Sequence, residues 1–247
     1  MTGQEYKYAI ETGQYPQFIY KYRPCDTNTL DALKNNYLWF SKLNDFNDPY
    51  DGLMRTSFEH TQNEFEAFVV LHKEDWTPQT LSQFYQNPKS FLENGLEQAR
   101  KSVKVCCFSE QNDNILMWSH YANCHKGICL EFEYAENETN LFHTFRSVQY
   151  SRSYDCCNYF RCSQKYVEKM VFTKALDWSY EKEYRAAFAQ LEGNQVFYSP
   201  SALRRIIFGC KTTEDYKNKV KAIAPNSVRY AECKLNEYHY KLEIVNE

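Results

Sequence analysis

The chain has 247 residues, of which 43% are hydrophobic and 25% are charged, and its formal net charge is −3. Such a chain can bury a core without disulfides, and the absence of any Lys/Arg block argues against binding driven by phosphate neutralisation alone. No apolar run approaches the ~18 residues of a membrane span, and the first residues lack a signal-peptide core, so we expect a cytoplasmic protein without membrane association.

The first half of the chain alternates extended and helical patterns. β-branched and aromatic runs predict strands, and cap residues followed by helical spacing predict helices. In order, the segments are 17–23 (strand), 25–36 (helix), 37–41 (strand), 42–52 (polar loop) and 58–104 (helical). The polar loop contains turn-forming residues, among them Asn47 and Asp48, and such a loop can present carboxylates and amides to a ligand.

The second half predicts further strands with short helices between them. In order, the segments are 103–109 (strand), 110–127 (short helix and turn), 128–134 (strand), 144–157 (in part strand), 160–176 (helix), 180–191 (strand), 205–209 (strand), a helix and one or two final strands. We interpret the whole as one α+β domain, 1–247, with residues 58–104 as a helical insertion within it.

The stretch "SYEKEYRAAF" carries alternating charges. As a strand it places Glu181, Glu183 and Arg185 on one face, whereas a helix would turn the two carboxylates about 200° apart. A solvent-exposed charge ladder is the plain interpretation. The functional alternative is that two carboxylates raise each other's pKa while the nearby Arg holds at least one ionised.

The stretch "CFSEQNDNILMWSHYANCHKG" groups Ser109, Trp118, His120 and Tyr121 just after a buried strand, where ligand sites often form. His120 is a candidate general base, a candidate hydrogen-bond donor to a phosphate, or a structural side chain. The glycines of a Walker loop, a Rossmann fingerprint or a nucleophile elbow are missing from the sequence.

The ten cysteines lack C-x-x-C spacing, and without a secretion signal we expect them to be reduced thiols. Their arrangement argues against structural zinc. The only candidate ligands for such a site are Cys124, His125, Cys129, Cys156, Cys157 and Cys162.

Three stretches together, "LWFSKLNDFNDPYDG", "CFSEQNDNILMWSHYANCHKGICLEF" and "WSYEKEYRAAF", resemble the signatures of the bacterial family called domain of unknown function 2971. More distantly, the order of strand, helix, strand, a Ser-bearing strand and an acidic strand resembles the ADP-ribosyltransferases. This second resemblance implies two packed, mainly antiparallel sheets around a cleft for NAD, which is consumed as a substrate.

The ADP-ribosyltransferase resemblance also implies site residues. It gives the first-strand role to Arg23 or Tyr22, the middle-strand role to Ser109 or Ser41, and the late-strand role to Glu183, with Glu181 as an upstream acid. Glu183 would stabilise an oxocarbenium-like state through the ribose 2′-hydroxyl, and Glu181 would orient or deprotonate the acceptor.

The candidate site therefore has a catalytic and an NAD-binding set, with no metal ligand assigned. The catalytic candidates are Glu183, Glu181, Arg185 and His120. The NAD-binding candidates are Tyr22, Arg23, Ser41, Asn47, Asp48, Ser109, Trp118 and Tyr121.

Three functions compete. The first is transfer of ADP-ribose from NAD to an intracellular protein or nucleic acid, as in a toxin or phage-defence effector. The second is a metal-dependent nuclease or hydrolase that uses Asp48, Asp51, His120 and Glu183. The third is a non-catalytic binding protein, such as an antitoxin or a nucleotide sensor.

Overall fold

A computed structural model describes residues 3–133, 144–154 and 156–247, except for the side chain of Gln164. Tyr134, the last residue of the predicted strand 128–134, lies outside these ranges. Within them, no helix is long and apolar enough to cross a membrane.

Fifteen strands are described. They are β1 (Phe18–Arg23), β2 (Tyr37–Trp39), β3 (Ser41–Lys42), β4 (Arg55–Ser57), β5 (Lys104–Ser109), β6 (Ile128–Glu133), β7 (Arg146–Ser147), β8 (Gln149–Ser151), β9 (Cys156–Asn158), β10 (Thr173–Ala175), β11 (Glu183–Phe188), β12 (Gln195–Phe197), β13 (Leu203–Phe208), β14 (Arg229–Leu235) and β15 (Leu242–Asn246).

Eight α-helices are described between them. They are α1 (Gly3–Glu11), α2 (Thr27–Lys34), α3 (Gln62–His72), α4 (Pro78–Gln86), α5 (Pro88–Ser102), α6 (Ile115–Tyr121), α7 (Tyr159–Phe172) and α8 (Glu214–Ile223). Side-chain caps fix several helix starts: Asp26 accepts from the Thr29 amide at α2, and Thr61 and Glu64 form a capping box at α3.

The centre of the fold is a nine-stranded sheet in the order β15–β14–β13–β6–β1–β5–β11–β7, with β3 also paired to β5. Its described pairs are antiparallel apart from β13 and β14, which are parallel and connected through α8. Three two-stranded sheets flank it. The predicted mixture of helices and mainly antiparallel strands is confirmed, but the described strands form one nine-stranded sheet and three two-stranded sheets rather than two packed sheets.

The two faces of the large sheet are covered differently. Ile19, Phe108 and Ile206 point to one face and pack in a core with side chains of α2 and α8. Tyr22 and Ile207 point to the other face and pack against α6. The alternation of strand side chains places Ser109 and Glu183 on this second face, next to α6.

The predicted strand 180–191 is correct only over Glu183–Phe188. Residues Leu176–Glu181 form a 3₁₀ helix that ends at Lys182, whose φ of 45° turns the chain into β11. The carbonyl of Glu181 accepts from the Ser109 hydroxyl, and that of Lys182 accepts from the Glu110 amide. These two hydrogen bonds connect the residues before β11 to the end of β5. They satisfy the carbonyls of Glu181 and Lys182, which lie outside the strand ladder.

One cysteine pair departs from the expected reduced state. Cys157 and Cys162 form a disulfide at the start of α7, and the other eight cysteines are free. Cys162 has a non-helical backbone inside α7, with φ −133° and ψ 21°, so the helix is kinked at the point where it is tied to Cys157.

Candidate functional site

The principal cavity, so named because it holds most of the candidate residues, has a volume of about 400 Å³ and opens beside the middle of β1, the end of β5 and the beginning of β11. Helix α6, the 3₁₀ helix and the loop after β3 complete its wall. The polar lining includes Tyr20, Tyr22, Asn47, Ser109, His120, Tyr121, Lys174, Glu181 and Glu183.

Three lining side chains come from adjacent strands at one level of the sheet. Tyr20 on β1 is directly opposite Ser109 on β5, and Ser109 is directly opposite Glu183 on β11. Residues opposite each other across a sheet share a face, so these three side chains form a row along the cavity. The Ser109 hydroxyl is fixed in this row, since it donates to the Glu181 carbonyl at 2.6 Å.

A fully buried guanidinium lies behind the row. Arg185 forms a bidentate ion pair with Asp51, in which its two terminal nitrogens donate to the carboxylate at 2.7 and 2.6 Å. Its Nε donates to Glu183 at 2.8 Å. Arg185 is 0% exposed, and both carboxylates are buried. Bidentate charge-assisted bonds of this kind fix the orientation of both partners.

Lys174 on β10 connects the two site glutamates. Its Nζ lies 2.6 Å from Oε2 of Glu181 and 3.2 Å from Oε2 of Glu183. The same Nζ lies 4.8 Å from the centre of the Trp178 ring. The Lys174 side chain is only 4% exposed, so these contacts replace its lost hydration.

The two glutamates titrate differently because their partners differ. Burial alone would raise the pKa of Glu183, but the charges of Arg185 and Lys174 outweigh it and hold the pKa at about 2. Burial raises the pKa of Glu181 above its usual value, and Lys174 offsets only part of this shift. One carboxylate is therefore permanently anionic, while the other is suited to exchanging a proton.

Helix α6 contributes two ring side chains to the cavity. The Tyr121 hydroxyl donates to Oε1 of Glu181 at 2.5 Å, and burial raises the pKa of this tyrosine. His120 is exposed, and its Nδ1 lies 3.1 Å from the Tyr180 hydroxyl. Oε1 of Glu181 thus accepts a hydrogen bond from Tyr121, and Oε2 accepts one from Lys174.

Residues 117–186 match a family model described as "Protein of unknown function (DUF2971)". The match supports the DUF2971 family. No significant match is found among curated proteins or among solved structures. The matched segment begins in α6 and ends in β11, so it contains His120, Tyr121, Lys174, Glu181 and Arg185.

Four other residues of the predicted site lie outside the cavity lining. Trp118, within the DUF2971 segment, is fully buried and packs edge-on against Tyr22. Ser41 pairs with Val105 in the sheet, and the Asp48 carboxylate accepts from the Tyr50 amide. Arg23, the last residue of β1, lines a separate cavity.

Tyr20 and Lys174 were not predicted as site residues, and Asp51 was predicted only as a metal ligand. Tyr20 could have been found from its alternation with Tyr22 on β1, since both point to the same face. Lys174 and Asp51 offered no such signal, because a single Lys beside a helix and one Asp in a turn-rich loop are ordinary sequence features. Their role depends on contacts with Arg185 and the two glutamates.

The metal-site candidates are not brought together. Within the residues that the structure describes, no group of three or more His, Cys, Asp and Glu side chains could hold a metal ion. Both carboxylate oxygens of Asp51 are bonded to Arg185, which occupies the place a cation would take. Among the zinc candidates, Cys157 and Cys162 are bonded to each other and Cys129 is fully buried in the core.

Proposed function

We propose that this protein is an ADP-ribosyltransferase that cleaves NAD and transfers ADP-ribose to an intracellular macromolecule. The observation that carries the proposal is the row Tyr20, Ser109 and Glu183 on three adjacent strands of one cavity. An aromatic residue, a serine and a glutamate in this order fit the resemblance seen in the sequence. Tyr20 takes the first-strand role in place of Tyr22 or Arg23.

The cavity suits the reacting half of NAD. Its volume of about 400 Å³ is within the range of about 300 to 1,000 Å³ for small-molecule sites. Tyr20, Tyr22 and Tyr121 supply aromatic walls for the nicotinamide ring. Lys21 also lines the cavity, where its Nζ donates to the Cys107 carbonyl at 2.7 Å.

Glu183 supports bond cleavage through its fixed negative charge. As the bond between ribose C1′ and the nicotinamide nitrogen breaks, both electrons go to that nitrogen and neutral nicotinamide leaves. The remaining ribosyl group carries oxocarbenium character, which an anionic carboxylate hydrogen-bonded to the 2′-hydroxyl stabilises. Arg185 and Lys174 keep Glu183 ionised before NAD arrives.

Glu181 supports the transfer itself. The lone pair of the acceptor nucleophile forms the new bond to C1′, and its proton passes to the Glu181 carboxylate and then to water. The products are nicotinamide, the ADP-ribosylated acceptor and one proton. The raised pKa of Glu181 makes it a better base than an exposed glutamate, provided that it is ionised when the acceptor binds.

The test measures nicotinamide release from NAD by the purified protein, with cell extract supplied as acceptor. We expect Glu183→Gln to lower the rate by about 100-fold or more, which is the scale of losing one charge-stabilising group. The matched control is Glu232→Gln, since Glu232 is also a strand glutamate in an ion pair, with Lys217, and lies outside the cavity. Its rate should stay within about twofold of the parent, a range expected when no transition-state contact is lost.

Circular dichroism establishes whether both variants are folded. Folded Glu183→Gln protein with unchanged nicotinamide release would refute the role of this carboxylate. Failure of the parent protein to release nicotinamide or to label any component of the extract would refute the proposed activity as a whole.

A further inference from the structure

We infer that a second cavity, on the far side of Lys174, docks the acceptor and that this acceptor is a single-stranded nucleic acid. The inference rests on the proposed function and adds the acceptor's chemical class to it. The cavity has a volume of about 300 Å³, and its lining includes Tyr50, Tyr154, Arg152, Ser151 and Lys174.

Lys174 lines both cavities, so one side chain separates this second cavity from the site glutamates. The parallel pairing of β8 and β10 fixes the position of Lys174, because Lys174 is opposite Tyr150 in the ladder between these strands. The Tyr150 hydroxyl accepts from the Glu183 amide at 2.8 Å, whereas the next residue, Ser151, lines the second cavity. A nucleophile docked here is thus separated from Glu181, the group assigned to take its proton, by the Lys174 side chain, whose Nζ lies 2.6 Å from Oε2 of Glu181.

The second cavity presents two exposed aromatic rings. Tyr50 is 59% exposed and Tyr154 is 46% exposed, and their ring centres lie 5.4 Å apart at an interplanar angle of 70°. Rings held in this way are not needed to fill the core. Exposed aromatic rings are the platforms on which proteins stack unpaired bases.

The same cavity carries a guanidinium that has no partner among the described residues. Arg152 is exposed and makes no hydrogen bond or ion pair with the described residues. In a protein of net charge −3, an exposed Arg152 in the same cavity as two stacking rings favours bases joined by phosphates over a peptide.

Binding is tested by fluorescence anisotropy with fluorescein-labelled single-stranded DNA and RNA of about 12 nucleotides, a length within known site sizes, and without NAD. We expect Tyr50→Ala and Tyr154→Ala each to weaken binding about tenfold, whereas Tyr50→Phe and Tyr154→Phe keep the rings and stay within about twofold. Arg152→Ala should weaken binding and reduce the slope of log K against log salt by about 0.7. The control is Tyr240→Ala, which removes an exposed tyrosine outside both cavities and should leave binding unchanged.

The inference is overturned if neither oligonucleotide binds, if the Tyr50 and Tyr154 variants bind as the parent does, or if ADP-ribose is transferred to protein and not to nucleic acid. Because the binding assay contains no NAD, the two proposals fail separately. Oligonucleotide binding that depends on the two tyrosines, without nicotinamide release, would contradict the transferase and support the docking site. Nicotinamide release without oligonucleotide binding would support the transferase and contradict the docking site.

Discussion

Lys174 is the cation that the two site glutamates share, and Arg185 is the residue on which the difference between them depends. It contacts Oε2 of both Glu181 and Glu183, but Glu183 has Arg185 as a second cationic partner and Glu181 has only the hydroxyl of Tyr121. The carboxylate with two cations stays ionised at every physiological pH. The carboxylate with one cation keeps a raised pKa and can act as a base.

Replacing Lys174 should therefore move the acid limb of the pH–rate profile. Glu181 acts as a base only when ionised, so transfer is lost as the pH falls through its pKa. Lys174→Met removes the charge that lowers this pKa, and the limb should shift to higher pH; Lys174→Arg keeps the charge and should leave the limb near its original position. The measurement is the rate of ADP-ribose transfer across the acid and neutral range.

Folding is the necessary control for this comparison. Lys174→Met leaves two buried carboxylates short of a partner, a change that costs about 3 to 5 kcal/mol of stability. Rates are therefore compared at a temperature at which thermal unfolding shows both variants folded. An acid limb that stays in place in folded Lys174→Met protein would show that Lys174 does not tune Glu181.

The alternation of charges predicted part of this site correctly. Glu183 and Arg185 do share a face of a strand, as the period of two requires. Glu181 reaches the same place by a different route, through the left-handed turn at Lys182. Asp51 could not be assigned to Arg185, because the pair is 134 residues apart and exists only once the loop after β3 packs on β11.

At the scale of elements, the turn after α6 holds this helix against the sheet. Asn123, Cys124 and His125 all have positive φ, at 48°, 53° and 70°. The turn is locked by backbone bonds, since the Gly209 amide donates to the Gly127 carbonyl at 3.0 Å. A left-handed run of non-glycine residues is strained, and here it positions the helix that carries His120 and Tyr121.

Gly127 is required where this turn meets β1. A Cβ at this position would lie 2.1 Å from the Arg23 carbonyl oxygen, so Gly127→Ala should lower the free energy of unfolding by about 1 to 3 kcal/mol, the usual cost of overpacking. Gly95 in α5 offers a matched control, because a Cβ there meets nothing within 4 Å. Gly95→Ala should stabilise the protein by about 1 kcal/mol. Urea unfolding of both variants gives the comparison, and equal stability of Gly127→Ala and the parent would contradict this role.

Patterns within single elements were sufficient for several predictions. The predicted strand 103–109 appears as β5, and the short helix after it appears as α6. The predicted strand 128–134 appears as β6, as far as the described residues extend. Neither the 3₁₀ helix Leu176–Glu181 nor the short strand β10 could be separated from the predicted helix 160–176 and strand 180–191. The 3₁₀ helix depends on the hydrogen bond from Ser109 to Glu181, a contact between residues 72 positions apart.

At the scale of the whole molecule, the sheet order is what assembles the site. It places β1, β5 and β11 side by side although long stretches of chain separate them, and this brings Tyr20, Ser109 and Glu183 into one row. The prediction of two packed sheets did not anticipate that one nine-stranded sheet would supply all three positions. Strand order is a property of long-range pairing, which the local pattern of a strand does not encode.

The most direct measurement is a crystal structure of the Glu183→Gln variant with NAD, since the amide keeps the shape of the side chain and removes its charge. We expect NAD in the principal cavity, with the ribose 2′-hydroxyl about 3 Å from the side chain at position 183 and the nicotinamide ring against Tyr20 or Tyr121. NAD bound away from the row formed by positions 20, 109 and 183, or no binding of NAD at all by folded protein, would contradict the account.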